Sequence, residues 1–316
     1  MNTLLLGIGA WDPEPWRARF KAVLPDWDIV LHTEPFDRRA IHYAAAWKQP
    51  EGTFAGLPDL EAIFSLGAGV DHLFKDTRLP EGVPVVRVVD PDLTTRMSEY
   101  VVMHCLMALR RVRTYDGFQR ERKWIDLRDQ PQASDVQVGL LGMGVLGQDA
   151  AMKLRTMGFR VAGWSRRPKD VEGVAMHHGD EGLNAVVASS DILVAMMPLT
   201  PDTTGILDAK LFARMPKAEA IGGPVLINVG RGGLQVETDI LAALDAGTLG
   251  AAVLDVFETE PLPEASPLWL HPKVTATPHN SAISSPPAIA AYVAGQIRAH
   301  MAGNALTNVV DPKHGY

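Results

Sequence analysis

Short, almost unbroken apolar runs recur along the chain. Between them lie polar segments whose apolar residues return every three or four positions. In the first ninety residues the runs are "TLLLGIG", "DIVLH", "AAAW", "AIFSLG" and "VPVVRVV", separated by the helix-like "EPWRARFKAVL", "DRRAIHY" and "LPDLEA". Strands that are apolar throughout, alternating with amphipathic segments, predict a parallel sheet covered on both faces. Residues 98 to 124, "SEYVVMHCLMALRRVRTYDGFQRERKW", read as one long helix, apolar at first and charged later. A second series follows from Val136: "VQVGLLGMG", "FRVAGWS", "DILVAMMP", "PVLINVG", "GAAVLDVF" and "VTATPH". The closing apolar helix, "PAIAAYVAGQIRAHMAG", has no strand after it and is expected to pack back on the first sheet. The expected fold class is therefore α/β, with two doubly wound parallel-sheet domains. Residues 1–97 and 287–316 make one, and residues 98–286 are inserted as the other. Two helical crossings would join them and permit hinge closure.

Composition narrows the function classes. The chain has 316 residues, 47% hydrophobic and 21% charged, which fits a globular protein with two cores rather than a disordered one. A net charge of −7 with no basic block argues against nucleic acid as the main partner. The single cysteine, Cys105, lies in an apolar run, so no disulfide framework or cysteine metal site can form. That run is too short to span a membrane, and the N-terminus "MNTLLLGIGAWD" has no basic leader. A cytoplasmic protein with no metal is expected.

The segment "VGLLGMGVLGQDAAMKLRTMG" places Gly142, Gly144 and Gly147 in G-x-G-x-x-G spacing, after a strand and before a helix. Glycine serves there for a tight turn, for close approach to pyrophosphate, and for helix packing on the sheet. The helix N-terminal amides then face the anion. Strand, loop, helix and next strand follow within about 30 residues, the context a lone glycine motif lacks. NAD binding calls for an acid about 20 residues on. This chain has Trp164, Ser165, Arg166 and Arg167 there instead, with no acid before Asp170. Two guanidiniums suit a 2′-phosphate, so NADPH is expected over NADH. The plainer reading is a solvated basic turn.

Three later strands end in chemistry. "VLINVGR" delivers Arg231; "LDVFETEP" delivers Asp255, Glu258 and Glu260; "VTATPHN" delivers His279. Ligands in open parallel sheets bind beyond the carboxyl ends of strands. Singly, each residue has a dull explanation: a cap, a solvated acid, an arginine paired with a neighbour. Together they form a working set beside a nicotinamide. Histidine moves a proton near neutral pH, and a carboxylate on its other nitrogen fixes the tautomer. Arginine offers a planar fork to a carboxylate and polarises a carbonyl.

In order and spacing, "LLGMGVLG", "PLTPDTTGIL", "INVGRGG", "LDVFETEPLP" and "TPHNSA" resemble the D-isomer-specific 2-hydroxyacid dehydrogenases along essentially the whole chain. The resemblance implies a Rossmann cofactor domain inserted in a flavodoxin-like substrate domain. It implies catalytic roles for Arg231, which binds substrate, for Glu260, which orients the histidine, and for His279, the proton donor. Cofactor contacts are implied for Gly142, Met143, Gly144, Val145, Leu146 and Gly147, and for Trp164, Ser165, Arg166 and Arg167. Pro198, Leu199, Thr203, Val229, Gly230 and Asp255 complete that set, Asp255 against the nicotinamide carboxamide. "SLGAGVDHL" resembles the substrate-carboxylate loop, with Ala68, Gly69 and Val70 as amide donors. Trp47 in "AWKQP" would line a small pocket, core packing being the alternative. "AWKQP" and "WSRRPK" also point within the family to reductases of glyoxylate and hydroxypyruvate. One departure is Ser98-Glu99 where the family commonly has Ala-Glu. A homodimer through the crossing helix and residues 111–135 is implied, with no nucleic-acid or membrane partner. Alternatives are another D-2-hydroxyacid dehydrogenase, or a non-enzymatic NAD(P)-sensing regulator on the same fold.

Overall fold

The computed structural model describes residues 2–9 and 11–311. The chain divides into two compact units, residues 1–93 with 284–316, and residues 94–283.

The first unit has a five-stranded sheet of β1 (Thr3–Ile8), β2 (Asp28–Leu31), β3 (Ile41–Trp47), β4 (Ala62–Ser65) and β5 (Val85–Val86). Every pairing is parallel and the order is β2-β1-β3-β4-β5, the flavodoxin-like arrangement. Alternation splits each strand between two cores. Leu4, Leu6 and Ile8 pack on one face with the C-terminal helix Pro286–Met301, while Leu5, Ala44 and Ile63 face the other. Both faces are thus dry, which explains why the strands read as unbroken apolar runs.

The second unit has seven strands: β6 (Gln137–Leu141), β7 (Arg160–Ser165), β8 (Ala175–His178), β9 (Ile192–Ala195), β10 (Val225–Asn228), β11 (Ala251–Leu254) and β12 (Val274–Ala276). They lie in the order β12-β11-β10-β9-β6-β7-β8, again all parallel. This is the Rossmann order with one added strand, and it reverses between β6 and β9. Leu141, Ala195, Leu226 and Leu254 face one core; Leu140, Val194, Ile227 and Val253 face the other.

Local differences from the sequence pattern have identifiable causes. The long crossing pattern is two helices, Pro91–Leu109 and Val112–Arg120, and the first starts seven residues before Ser98. Proline at the first helical position sets that start. Arg111 takes a left-handed backbone (φ 52°) and donates to the Ala220 carbonyl, which ends the first helix. "DRRAIHY" is one 3₁₀ turn, Arg38–Ala40, followed by β3, and "LPDLEA" is turns. β8 has no counterpart in the sequence pattern.

Candidate active site

At the reversal of the second sheet, Gly142 follows β6 with φ +111°, and a Cβ there would lie 2.7 Å from the Met197 amide nitrogen. Gly147 sits so close to the loop that a Cβ would lie 2.0 Å from the Gly142 carbonyl oxygen. Gly144 differs: a Cβ there would meet nothing within 4 Å. The first two glycines therefore close the turn and seat the helix Val145–Thr156, while the middle one opens onto free space. That helix starts at Gly144 with no side-chain cap, so its first amides face the same space. The cradle fits a dinucleotide pyrophosphate.

The flanking residues build the rest of this cradle. Met143 and Leu146 pack on the core below the loop, leaving mainly backbone to a ligand. The Trp164 indole is buried and donates to the Gly179 carbonyl at 2.8 Å, so Trp164 too offers backbone rather than ring. After β7, the Ser165 hydroxyl donates to the Arg167 carbonyl at 2.8 Å. The Arg166 guanidinium lies 3.4 Å from both the Thr200 hydroxyl and the exposed Asp202 carboxylate. Lys169 donates to the Met143 carbonyl at 2.8 Å, a third cation on this side that motif reading did not single out. On the other side of the reversal, the Thr203 hydroxyl donates to the Pro198 carbonyl at 2.8 Å and accepts from the Thr200 amide. Gly233 holds Leu199 against this loop.

The three polar strand ends come from β10, β11 and β12, which are consecutive in the sheet with Asn228, Leu254 and Ala276 in register. Asn228 is fully buried. Its amide donates to the Arg231 carbonyl at 3.1 Å and to Gln235 at 2.8 Å, and its oxygen accepts from the Gly230 amide at 3.0 Å. That ties the backbone of the Val229–Arg231 turn to the strand. Arg231, half-buried, donates to the Gly230 carbonyl at 2.8 Å. Gly232 then meets the next strand's loop: a Cβ there would lie 1.8 Å from the Phe257 carbonyl oxygen. Only glycine allows that approach.

Of the two acids in this loop, Glu260 reaches the histidine. Its Oε2 lies 2.8 Å from His279 Nδ1, and its Oε1 accepts from the Phe257 amide at 3.2 Å. Glu258 exchanges two hydrogen bonds with Glu237, each 2.8 Å, and so closes the start of the helix Glu237–Asp245. With Nδ1 engaged by Glu260, Nε2 is the nitrogen left to face a ligand. About half of the His279 side chain is exposed.

Asp255 has no solvent exposure and anchors the histidine turn. Its carboxylate accepts from the Thr277 hydroxyl at 2.6 Å, the Asn280 amide at 2.9 Å and the Ser281 amide at 2.9 Å. These donors flank His279, which takes a left-handed backbone (φ 52°), a conformation that persists only where the surroundings impose it. The Tyr100 phenol lies 2.7 Å from the Thr277 hydroxyl. Because that hydroxyl gives its proton to Asp255, Tyr100 donates to it. His104 packs against Tyr100, with ring centroids 4.4 Å apart and the rings tilted by 56°. Burial pushes the His104 pKa down to about 4. Tyr100 and His104 read from sequence as two more residues of an apolar helix. Their link to Thr277 spans 177 positions and leaves no local signal.

In the first unit, the loop after β4 is fixed by the Ser65 hydroxyl, which donates to the Gly69 carbonyl at 2.8 Å and accepts from the Gly67 amide. Among the described residues, no hydrogen bond uses the amides of Ala68, Gly69 or Val70. Trp47, at the end of β3, lies on this loop: a Cβ on Gly67 would be 2.4 Å from its ring.

The model of the D-isomer specific 2-hydroxyacid dehydrogenase NAD binding domain matches residues 102–281. A glyoxylate/hydroxypyruvate reductase A from Serratia proteamaculans is 40% identical over 311 residues, 97% of each chain. A crystal structure of the NADPH-dependent glyoxylate/hydroxypyruvate reductase from Sinorhizobium meliloti, in complex with NADP and sulfate, is similar with TM-score 0.92 and 45% identity, covering all of both chains. A probable 2-hydroxyacid dehydrogenase from Rhizobium etli, in complex with NADP, HEPES and tartaric acid, has TM-score 0.94 and 44% identity over the same full coverage. With its Rossmann strand order, dinucleotide cradle and Glu–His pair, the chain belongs to the D-isomer specific 2-hydroxyacid dehydrogenase family.

Proposed function

We propose that this protein reduces glyoxylate or hydroxypyruvate to the corresponding 2-hydroxyacid, with NADPH as cofactor. The observation that carries the reading is the 2.8 Å pair of His279 and Glu260, which follow β12 and β11 beside the Arg231 turn after β10, at the carboxyl edge of the sheet that holds the dinucleotide cradle. Relatives with full coverage are named for this activity, and two similar structures contain NADP. Residues 94–283 serve as the dinucleotide-binding unit, and residues 1–93 with 284–316 as the substrate unit.

When bound, NADPH supplies a hydride to the carbonyl carbon. The rest falls to the chain. Glu260 holds His279 by Nδ1, so Nε2 carries the proton delivered to the carbonyl oxygen as negative charge grows there. Arg231, its backbone fixed by Asn228, offers its guanidinium to the substrate carboxylate and carbonyl oxygen. The amides of Ala68, Gly69 and Val70 are assigned to the carboxylate, and Trp47 to the substrate's far side. The cofactor set comprises the Gly142–Gly147 loop, Trp164 and Ser165 by their backbone, Pro198, Leu199, Thr203, Val229, Gly230 and Asp255. Arg166 and Arg167 are assigned to the 2′-phosphate, because no carboxylate precedes Asp170 to receive ribose hydroxyls.

A homodimer is inferred from the helix Val112–Arg120, which buries none of its residues in this chain, and from fully exposed Trp124 beyond it. A cytoplasmic setting is inferred from the single buried cysteine. Among the described residues no helix is long and apolar enough to cross a membrane.

The test is NADPH oxidation with glyoxylate and hydroxypyruvate, for the wild type and for His279→Ala. Both substrates should turn over, and the variant's kcat should drop by about 10²- to 10⁴-fold with NADPH affinity retained. Absence of turnover in the wild type would leave a binding protein on a dehydrogenase fold.

A further inference from the structure

The first sheet also has a reversal of strand order, between β1 and β3. In open parallel sheets that is where ligands bind. The Gly9 amide donates to the Trp47 carbonyl at 3.1 Å and pins the two strand ends together. Just beyond them an aromatic column is assembled. The Trp11 indole lies parallel to Trp47, with centroids 4.7 Å apart at 12°, and parallel to Trp16, 5.5 Å apart at 11°. Trp11 is thus the middle ring of three. The His72 ring also meets Trp47, at 4.8 Å and tilted by 55°, and the Arg19 guanidinium lies 5.5 Å over Trp16.

Trp16 is a core residue, 5% exposed, whereas Trp11 is 41% exposed. Burial alone therefore accounts for Trp16 but leaves much of Trp11 uncovered. What Trp11 does is cover Trp47, which also meets the His72 ring and whose edge rests on Gly67. An indole stacked on Trp11, met by His72 and resting at its edge on Gly67 is restricted in the rotamers it can reach. It lies against Gly67, at the start of the loop whose three amides are unused among the described residues.

We propose that Trp11 is a specificity-determining residue. As the middle ring of the column it clamps Trp47 over Gly67, and so restricts the group on the substrate's carbonyl carbon to hydrogen or hydroxymethyl. The inference rests on the reading of Ala68, Gly69 and Val70 as the seat of the substrate carboxylate. A carboxylate held there places the neighbouring carbon and its substituent against the Trp47 ring. With Trp11 removed, Trp47 gains a direction in which to move and a bulky substituent gains room.

The test compares kcat/KM for glyoxylate, hydroxypyruvate and phenylpyruvate in the wild type and in Trp11→Ala, Trp11→Phe and Trp47→Ala. Trp11→Ala should raise the phenylpyruvate-to-glyoxylate ratio by about tenfold or more, the scale on which a pocket discriminates by size. Trp11→Phe keeps a stacking ring and should return the ratio to within about threefold of wild type. KM for NADPH should stay the same throughout. A ratio unmoved in Trp11→Ala but shifted in Trp47→Ala would overturn the role of Trp11 and leave the carboxylate seat standing. A ratio unmoved in both would overturn the seat as well. If Trp11→Ala does not accumulate as folded protein, Trp11→Leu carries the same expectation and the same refutation.

Discussion

Acid should destabilise this protein through His104, a residue behind the Tyr100 brace of the His279 turn. The ring is buried in the helix Pro91–Leu109, and its Nε2 has no hydrogen-bond partner among the described residues. Burial lowers its pKa from 6.5 to about 4, with the Asp255 carboxylate opposing the shift. The unfolded chain takes up a proton near pH 6.5, whereas the folded chain takes one up only near pH 4. Between those values the unfolded state binds more protons, so stability falls as pH falls. Well above pH 6.5, where neither state binds the proton, the group contributes nothing to the slope. The gap between the two pKa values amounts to about 3 kcal/mol at its acid limit, most of which is reached by pH 4.5. His104→Gln removes the titration. Urea unfolding followed by circular dichroism, at pH 7 and pH 4.5, should show the wild type losing about 2 kcal/mol more than the variant. Parallel losses in both proteins would refute the reasoning and show that His104 titrates normally. The same proton would put charge against Tyr100, which holds Thr277 and through it the His279 turn. Turnover should therefore fall with stability on this limb.

Two further outcomes concern the site. Arg231→Lys keeps the charge but loses the fork, and should raise KM for glyoxylate by about tenfold or more, with NADPH affinity retained; an effect confined to NADPH would move Arg231 out of the substrate site. Replacing Arg166 and Arg167 together by alanine should lower kcat/KM with NADPH by about 10²-fold while leaving NADH use nearly as it was, and an equal loss with both cofactors would show that neither arginine reads the 2′-phosphate.

Much of this architecture is written locally. Strands with two dry faces must be apolar at every position, so β6, β9 and β10 stand out in the sequence. The residues that break each run, Gly142, Arg231 and His279, mark the carboxyl ends where ligands bind. β8 escaped because it is an edge strand whose Met176, His177 and His178 are only partly covered, so neither periodicity nor apolarity marks it. The break at Arg111 depends on a carbonyl 109 residues away. The choice of Glu260 over Glu258 rested on family resemblance, since both lie in one acidic loop. The geometry separates them, because Glu258 is taken up by a helix start. The bracing of the histidine turn by Tyr100, and the clamping of Trp47 by Trp11, arise from side chains far apart or facing across strand ends, where composition carries no pattern.

β12, the strand that delivers His279, is three residues long and has a neighbour on one side only, β11. Its margin position gives it half the backbone pairing of an interior strand, while the glycine cradle lies between interior strands. Proton delivery and coenzyme capture are thus mounted on parts of unequal durability. Mild stress would produce a species that still holds its nucleotide yet has lost turnover, and inactivation would run ahead of loss of fold.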